Sequence, residues 1–235
     1  MRALVLRPQP GADATAARIR AWGGKATVAP LFQIRPAEWD VPDSAAHDAL
    51  VLTSANAVRH AGVGLARLKS LPVFAVGEST AQAARAAGLY VRAVGTNNAE
   101  ALFASIAAAG VMRPLRLVGA DHGAVTRSTL IVTTRIVYRA DAATELPPNA
   151  IEALAAGAVA LLHSPRAAAL FGSMIGTSPQ RAGIRIAAIS AATANAAGEG
   201  WQAVAIAAVP TDDALLAAAA RLCETGAGPE KHAGA

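Results

Sequence analysis

The chain has 235 residues, 54% of them apolar but only 4% aromatic, with a net charge of +5. At this length roughly 70% of the unfolded surface can be hidden, in one large domain or two small ones, and the apolar content excludes general disorder. No run approaches the roughly 18 apolar residues of a membrane span, the single Cys223 excludes an internal disulfide framework, and the dispersed basic residues argue against a nucleic-acid interface while suiting a small polyanion.

In chain order, short β-type runs alternate with Ala-rich helical segments. "ALVLRP" at 3–8 predicts a strand, and "DATAARIRAW" at 13–22 a helix capped by Asp13 and stopped by Gly23 and Gly24. "TVAPLFQIRP" at 27–36 is extended and broken by Pro30 and Pro36. "ALVLT" at 49–53 leads to a helix after Ser54, and "PVFAVG" at 72–77 to one after Ser79 and Thr80 that ends at Gly88. A strand near 89–94 precedes Thr96, Asn97 and Asn98, which start a helix to Gly110, and "LRLVGA" at 115–120 is a further strand.

A second series follows. "AVALLH" at 158–163 precedes a helix opened by Ser164 and Pro165, the favoured pairing of a capping residue with proline at the first helical position. "IRIAAIS" at 184–190 precedes a helix around 191–197, and "AVAIAAVP" at 203–210 precedes Thr211, Asp212 and Asp213 and then the helix "ALLAAAARLCE". Such alternation predicts parallel sheets with helices on both faces.

The two series match in order. "LTSANAVR" answers "LHSPRAAA", with Ser164 110 positions after Ser54. "VGEST" answers "ISAAT" at an offset of 113 from Thr80 to Thr193, and "VGTNNAEAL" answers "VPTDDALLA" at 115 from Thr96 to Thr211. Two similar lobes facing a shared ligand crevice are therefore expected. "PLFQIRP" at 30–36 and "TTRIVYRA" at 133–140 flank the first complete series and can pair as a two-stranded bridge. The expected division is a discontinuous lobe of 1–35 plus 138–225, an inserted lobe of 36–137, and a disordered tail at 226–235.

Strand-end turns of a parallel sheet gather at one edge, where ligands usually sit. Here those turns carry Ser54, Thr80, Thr96, Ser164, Ser190, Thr193 and Thr211. Each helix start offers unpaired N–H groups and the positive end of a dipole, suited to carboxylate or phosphate. The competing reading is that each residue simply caps its own helix.

Other chemistry is sparse. There is no CxxC pair, HExxH motif or EF-hand loop, so no metal is expected, and "GVGLAR" at 62–67 lacks the third glycine of a dinucleotide fingerprint. His163 and Ser164 are adjacent, and neighbours at a strand end point apart, which disfavours a catalytic pair. Tyr138, in "RIVYRAD", lies in the expected bridge, either as an edge-strand tyrosine or with its hydroxyl available to a ligand.

Taken together, "LRPQPGADATAARIRAWGG", "APLFQIRP", "LVLTSANAVR", "VFAVGESTAQAARAAGL", "VYRAD", "LLHSPRAAAL", "IAAISAATANAAGEG" and "VPTDDALLAAA" resemble the uroporphyrinogen-III synthase family. The resemblance implies two α/β lobes, each with a parallel sheet, joined by a two-stranded β-ladder hinge. It implies a cofactor-independent lyase that takes hydroxymethylbilane, expels its hydroxyl as water and closes the ring with inversion of the last pyrrole, through an azafulvene cation and a spiro-pyrrolenine. Tyr138 then corresponds to the family's active-site tyrosine and assists departure of the hydroxyl, because a phenol holds its proton at neutral pH. Ser54, Asn56, Thr80, Ser164, Arg166 and Thr193 match turns that hold substrate carboxylates. Arg7 matches a basic residue after the first strand, for substrate or for support of the hinge.

Two departures stand out. Residues 119–140 leave little room for the helix the family usually has there, and 129–137 looks extended. Asn56 stands where the family often has Arg, with Arg59 one turn on as a compensating charge. The expected setting is a cytoplasmic monomer, with transient contact to neighbouring pathway enzymes and no nucleic acid, membrane, metal or cofactor. The alternative is a two-lobed, non-catalytic protein that binds or senses a small anion.

Overall fold

The computed structural model describes residues 1–95, 99–123 and 129–224. In chain order these form β1 (Arg2–Val5), α1 (Gly11–Ala21), β2 (Lys25–Val28), β3 (Phe32–Pro36), β4 (Ala49–Leu52), α2 (Ala55–His60), β5 (Val73–Val76), α3 (Glu78–Ala86), β6 (Val91–Gly95), α4 (Ala99–Ala108), β7 (Pro114–Gly119) and β8 (Thr133–Ala142). Then come α5 (Pro148–Ala155), β9 (Val159–Leu162), α6 (Pro165–Ile175), β10 (Arg185–Ala188), α7 (Ala191–Ala197), β11 (Ala203–Ile206) and α8 (Asp212–Glu224).

The chain divides into two compact units, one of Met1–Gln33 with the chain from Ala142 onward, the other of Ile34–Asp141. The first holds a five-stranded sheet of order β11-β10-β9-β1-β2, parallel throughout. The second holds a six-stranded sheet of order β3-β8-β7-β4-β5-β6, parallel from β8 to β6. Setting β4, β5, β6, β7 and β8 against β9, β10, β11, β1 and β2 makes the two orders coincide. The turns paired at Ser54 with Ser164 and at Thr80 with Thr193 are thus equivalent positions of one repeated topology.

β3 and β8 carry the chain between the units. The Ala37 N–H donates to the Val137 carbonyl and the Ala143 N–H to the Leu31 carbonyl, so the two strands run antiparallel. β8 also pairs in parallel with β7, so it is an integral strand of the second sheet as well as half of a ladder.

Central strands are apolar on both sides because helices cover both sheet faces. Ala49, Leu50, Val51 and Leu52 are all fully buried. Alternation along β4 sends Leu50 and Leu52 to one cluster with Leu115, Leu117, Val58 and Ala84, and Ala49 and Val51 to another with Leu102, Phe103 and Ile106. In the first unit, α1 and α8 bring Ala12, Ile19, Leu215 and Leu216 onto Val5 and Leu161. Each large apolar side chain so buried contributes about 1.5–3 kcal/mol.

Several helix starts differ from expectation, and α8 takes in Asp212 and Asp213 as its first turn where the sequence reading begins the helix at Ala214. α1 begins at Gly11, ahead of Asp13, because the Gln9 side chain accepts from the Asp13 N–H (3.2 Å) and donates to its carboxylate (2.8 Å). Asp13 therefore sits in the first turn, complementing the helix dipole, and is not the cap. α3 begins at Glu78, since Gly77 at φ 76° turns the chain into the helix early and leaves Ser79 and Thr80 inside its first turn. α5, opened by Pro148, was not anticipated. The start assigned to Thr96, Asn97 and Asn98 and the tail at 226–235 lie outside the described residues. Between β7 and β8 no described residue is helical.

α6 and α7 approach closely at Gly172. A Cβ there would stand 2.5 Å from the Ala197 carbonyl oxygen, and Arg181 donates to the carbonyls of both Gly172 and Ala197. Gly172→Ala should therefore force the helices apart and cost about 1–3 kcal/mol, measured as a lower melting temperature. An unchanged melting temperature would show that the contact yields freely.

Candidate functional site

In each unit the order of connection reverses between two neighbouring strands, β1 and β9 in one and β7 and β4 in the other. The carboxyl ends of strands at such a reversal are where open α/β sheets bind ligands. Most of the predicted site residues lie at or beside these ends.

At the β9 end, Ser164 is the N-cap of α6 and its Oγ accepts from the Ala167 N–H at 3.2 Å. Arg166, two residues on, stacks its guanidinium over the Phe32 ring at 4.4 Å. At the β10 end, Ser190 caps α7, accepting from the Thr193 N–H at 3.2 Å, with its Oγ 3.0 Å from the fully buried Thr193 hydroxyl. At the β4 end, Ser54 caps α2 and accepts from the Asn56 N–H at 3.2 Å. Asn56 accepts from Arg59 Nη1 at 3.3 Å, which draws the guanidinium one turn on back to this helix start. Thr80 is buried in the first turn of α3. The serine caps of α2, α6 and α7 thus each occupy one first-turn amide, α3 has no side-chain cap, and the first amides of a helix lack the i−4 carbonyl partners of its interior.

Arg7, just past β1, is committed within its own unit. Its Nη1 reaches the Thr15 hydroxyl at 3.4 Å and Asp212 Oδ1 at 3.5 Å. Burial lowers its pKa, partly offset by Asp212. Asp212 is the hub of a network the sequence did not disclose. Its carboxylate, 11% exposed, accepts from Thr15 Oγ1 at 3.0 Å, Arg18 Nη1 at 2.6 Å and His163 Nε2 at 2.9 Å. Burial alone would raise its pKa, but the bonds from His163, Arg18 and Thr15 outweigh it and hold the carboxyl well below the usual range. An ionised carboxylate can only accept, so the proton of the His163 bond sits on Nε2. His163 and Ser164 take different partners, as their adjacency on a strand end implies. His163 Nδ1 is buried with no partner among the described residues.

Asp212 thereby ties together the ends of β1 and β9, helix α1 and the start of α8. No sequence signal marks this set. Asp212 reads as a first-turn acidic residue, and its partners lie 49 to 205 positions away.

In the second unit Tyr138, on β8, packs partly against the cluster containing Val137, Leu52 and Ala57. Its ring centroid is 6.3 Å from that of His60, tilted by 40°. Burial, then Arg59, lowers the His60 pKa, so that imidazole is neutral at pH 7. Beneath the ring lies Gly119 at the end of β7. His60 and Gly119 were not anticipated.

Concavities also occur at the opposite edge of the first sheet, lined by Arg2, Lys25, Gly157 and Arg185. There Arg2 donates to the Ala156 carbonyl and Arg185 to those of Gly157 and Leu222, so these cations serve the ends of α5 and α8. Among the described residues no cluster of three or more His, Cys, Asp or Glu could hold a metal, and no helix is long and apolar enough to cross a membrane.

The sequence matches the family model described as uroporphyrinogen-III synthase HemD over residues 13–217. No curated protein sequence matches significantly. Among solved structures, the uroporphyrinogen-III synthetase of Helicobacter pylori is similar with a TM-score of 0.65 and 19% identity, covering 94% of this chain and 100% of that one. A mutant uroporphyrinogen III synthase of Thermus thermophilus is similar with a TM-score of 0.52 and 18% identity, covering 95% and 98%. At these identities the structural likeness speaks for the fold.

Proposed function

The chain belongs to the uroporphyrinogen-III synthase family, and from that premise we propose how its own residues divide the work. As a member it is a carbon–oxygen lyase of tetrapyrrole synthesis acting on hydroxymethylbilane.

In our reading Tyr138 is the catalytic residue. Its phenol donates a hydrogen bond or proton to the departing hydroxyl of the bilane, which leaves as water. Ser54, Asn56, Thr80, Ser164, Arg166 and Thr193 mark the turns that take the substrate's acidic side arms. The grip comes chiefly from first-turn main-chain N–H groups, because the serine hydroxyls already cap their helices. Arg7 contributes positive field and holds the β1 end through Asp212 rather than forming a free ion pair. The observation that carries this reading is the placement of capped helix starts at the reversal points of both sheets.

The linear substrate closes spontaneously without inversion, so the enzyme's contribution is orientation that favours spiro attack on the last pyrrole. No single anion-holding turn should then be indispensable. The same proposal includes a cytoplasmic monomer that meets neighbouring pathway enzymes transiently.

Freshly prepared hydroxymethylbilane incubated with the protein should yield chiefly the type III isomer of uroporphyrinogen on chromatographic separation. Type I alone, formed at the spontaneous rate, would overturn the reading in favour of a non-catalytic anion-binding protein.

A further inference from the structure

Most glycines with an evident role here supply a left-handed turn, as Gly77 and Gly88 do at φ 76°. Gly119 does not, since its φ lies outside the left-handed region. An L-residue could adopt its backbone, so the requirement there is for space. A Cβ on Gly119 would stand 2.6 Å from Cε2 and Cζ of Tyr138 and 2.9 Å from its hydroxyl oxygen. The bare backbone is occupied by the phenol ring.

The local ladder explains how the ring comes to lie there. β7 and β8 pair in register from Leu115 with Thr133 to Val118 with Ile136, and then the register shifts so that Gly119 faces Tyr138 and Val137 is skipped. Such a bulge bends a strand and re-aims the next side chain. The Ala120 N–H donates to the Tyr138 carbonyl at 2.9 Å, and His122 Nδ1 lies 3.0 Å from the Gly119 carbonyl, so the backbone is held on both sides of the contact. With the backbone fixed, the ring can only swing, and Gly119 and His60 bound that swing.

We propose that Gly119, together with the bulge at Val137, is a positioning residue for Tyr138, fixing where its hydroxyl is presented. The inference rests on Tyr138 being the donor in the reaction, and the test separates the two ideas. A methyl at Gly119 must displace the ring, and a donor moved by about 1 Å loses much of its effect.

Gly119→Ala in the full chain should lower kcat about tenfold and leave KM within about twofold. Tyr90 and Tyr138 are the only tyrosines, so isotope-labelled tyrosine gives two ring signals, and only that of Tyr138 should move. In the Tyr138→Phe background, Gly119→Ala should cost no further kcat, because no hydroxyl remains to misplace. If Gly119→Ala lowers the melting temperature, combining it with Tyr138→Ala should cost less than the two single changes added together, because the clash goes with the ring. An unmoved Tyr138 signal, or an equal loss of kcat in the Phe background, overturns the proposal. Full turnover in Tyr138→Phe, with the ring signal still moved by Gly119→Ala, would uphold the seat and remove the donor role instead.

Discussion

Replacing Tyr138 with phenylalanine should lower turnover of hydroxymethylbilane about 100-fold while leaving affinity for uroporphyrinogen III within about twofold. The change deletes one oxygen and keeps the ring, which still covers Gly119 and packs beside Val137 and Ala57. Neither folding nor the anion-holding turns should be disturbed, so the loss belongs to the chemical step. A 100-fold loss is about 2.7 kcal/mol of transition-state stabilisation, within reach of one well-placed donor to a leaving hydroxyl. The product should still be mainly the type III isomer, because orientation rather than proton donation selects spiro attack. Single-turnover rates set beside product binding would check both halves. A rate equal to that of the unaltered chain would remove Tyr138 from the mechanism.

Much of this architecture was legible because it repeats. Ser54 and Ser164 occur 110 positions apart in matching strand-to-helix turns, and the two sheet orders coincide once β4 is set against β9. Capping chemistry is local, so Ser54, Ser164 and Ser190 sit at the helix starts their neighbours suggested. Where a competing local device intervened, the boundary moved: the Gln9 side chain displaced Asp13 as the opening of α1, and Gly77 took the start of α3 from Ser79 and Thr80.

What stayed hidden depends on partners far apart in sequence. Nothing in "VGADH" announces that Gly119 lies beneath a ring 19 positions later, because that contact follows from a register shift in a ladder. Asp212 resembles any acidic first-turn residue until the sheet order sets β1 beside β9 and brings Arg7 and His163 to it. Periodicity reports which face a residue occupies, not which residue answers it across the fold.

That hub supports the other large effect. Asp212→Asn should destabilise the first unit by about 3 kcal/mol at neutral pH, the low end for breaking a buried ionic group, since Arg18 is half exposed and can return to water. Both carboxylate oxygens accept, Oδ1 from His163, Thr15 and Arg7, and Oδ2 from Arg18 and Thr15. Whichever way the asparagine turns, its NH₂ group faces donors and one cluster loses its acceptor. The effect should depend on pH in a definite direction. The folded pKa of Asp212 is depressed, whereas an unfolded chain's aspartate titrates near about 3.9. Below that value the unfolded state takes up the extra proton, so the stabilisation is complete above about pH 5 and declines as pH falls toward the folded value. The gap between the native chain and Asp212→Asn should therefore be widest at pH 7 and narrow on acidification. Hydrogen exchange at the β1 and β9 amides reports the first unit by itself and measures that gap. An equal gap at neutral and acid pH would mean that Asp212 acts by shape alone, without its charge.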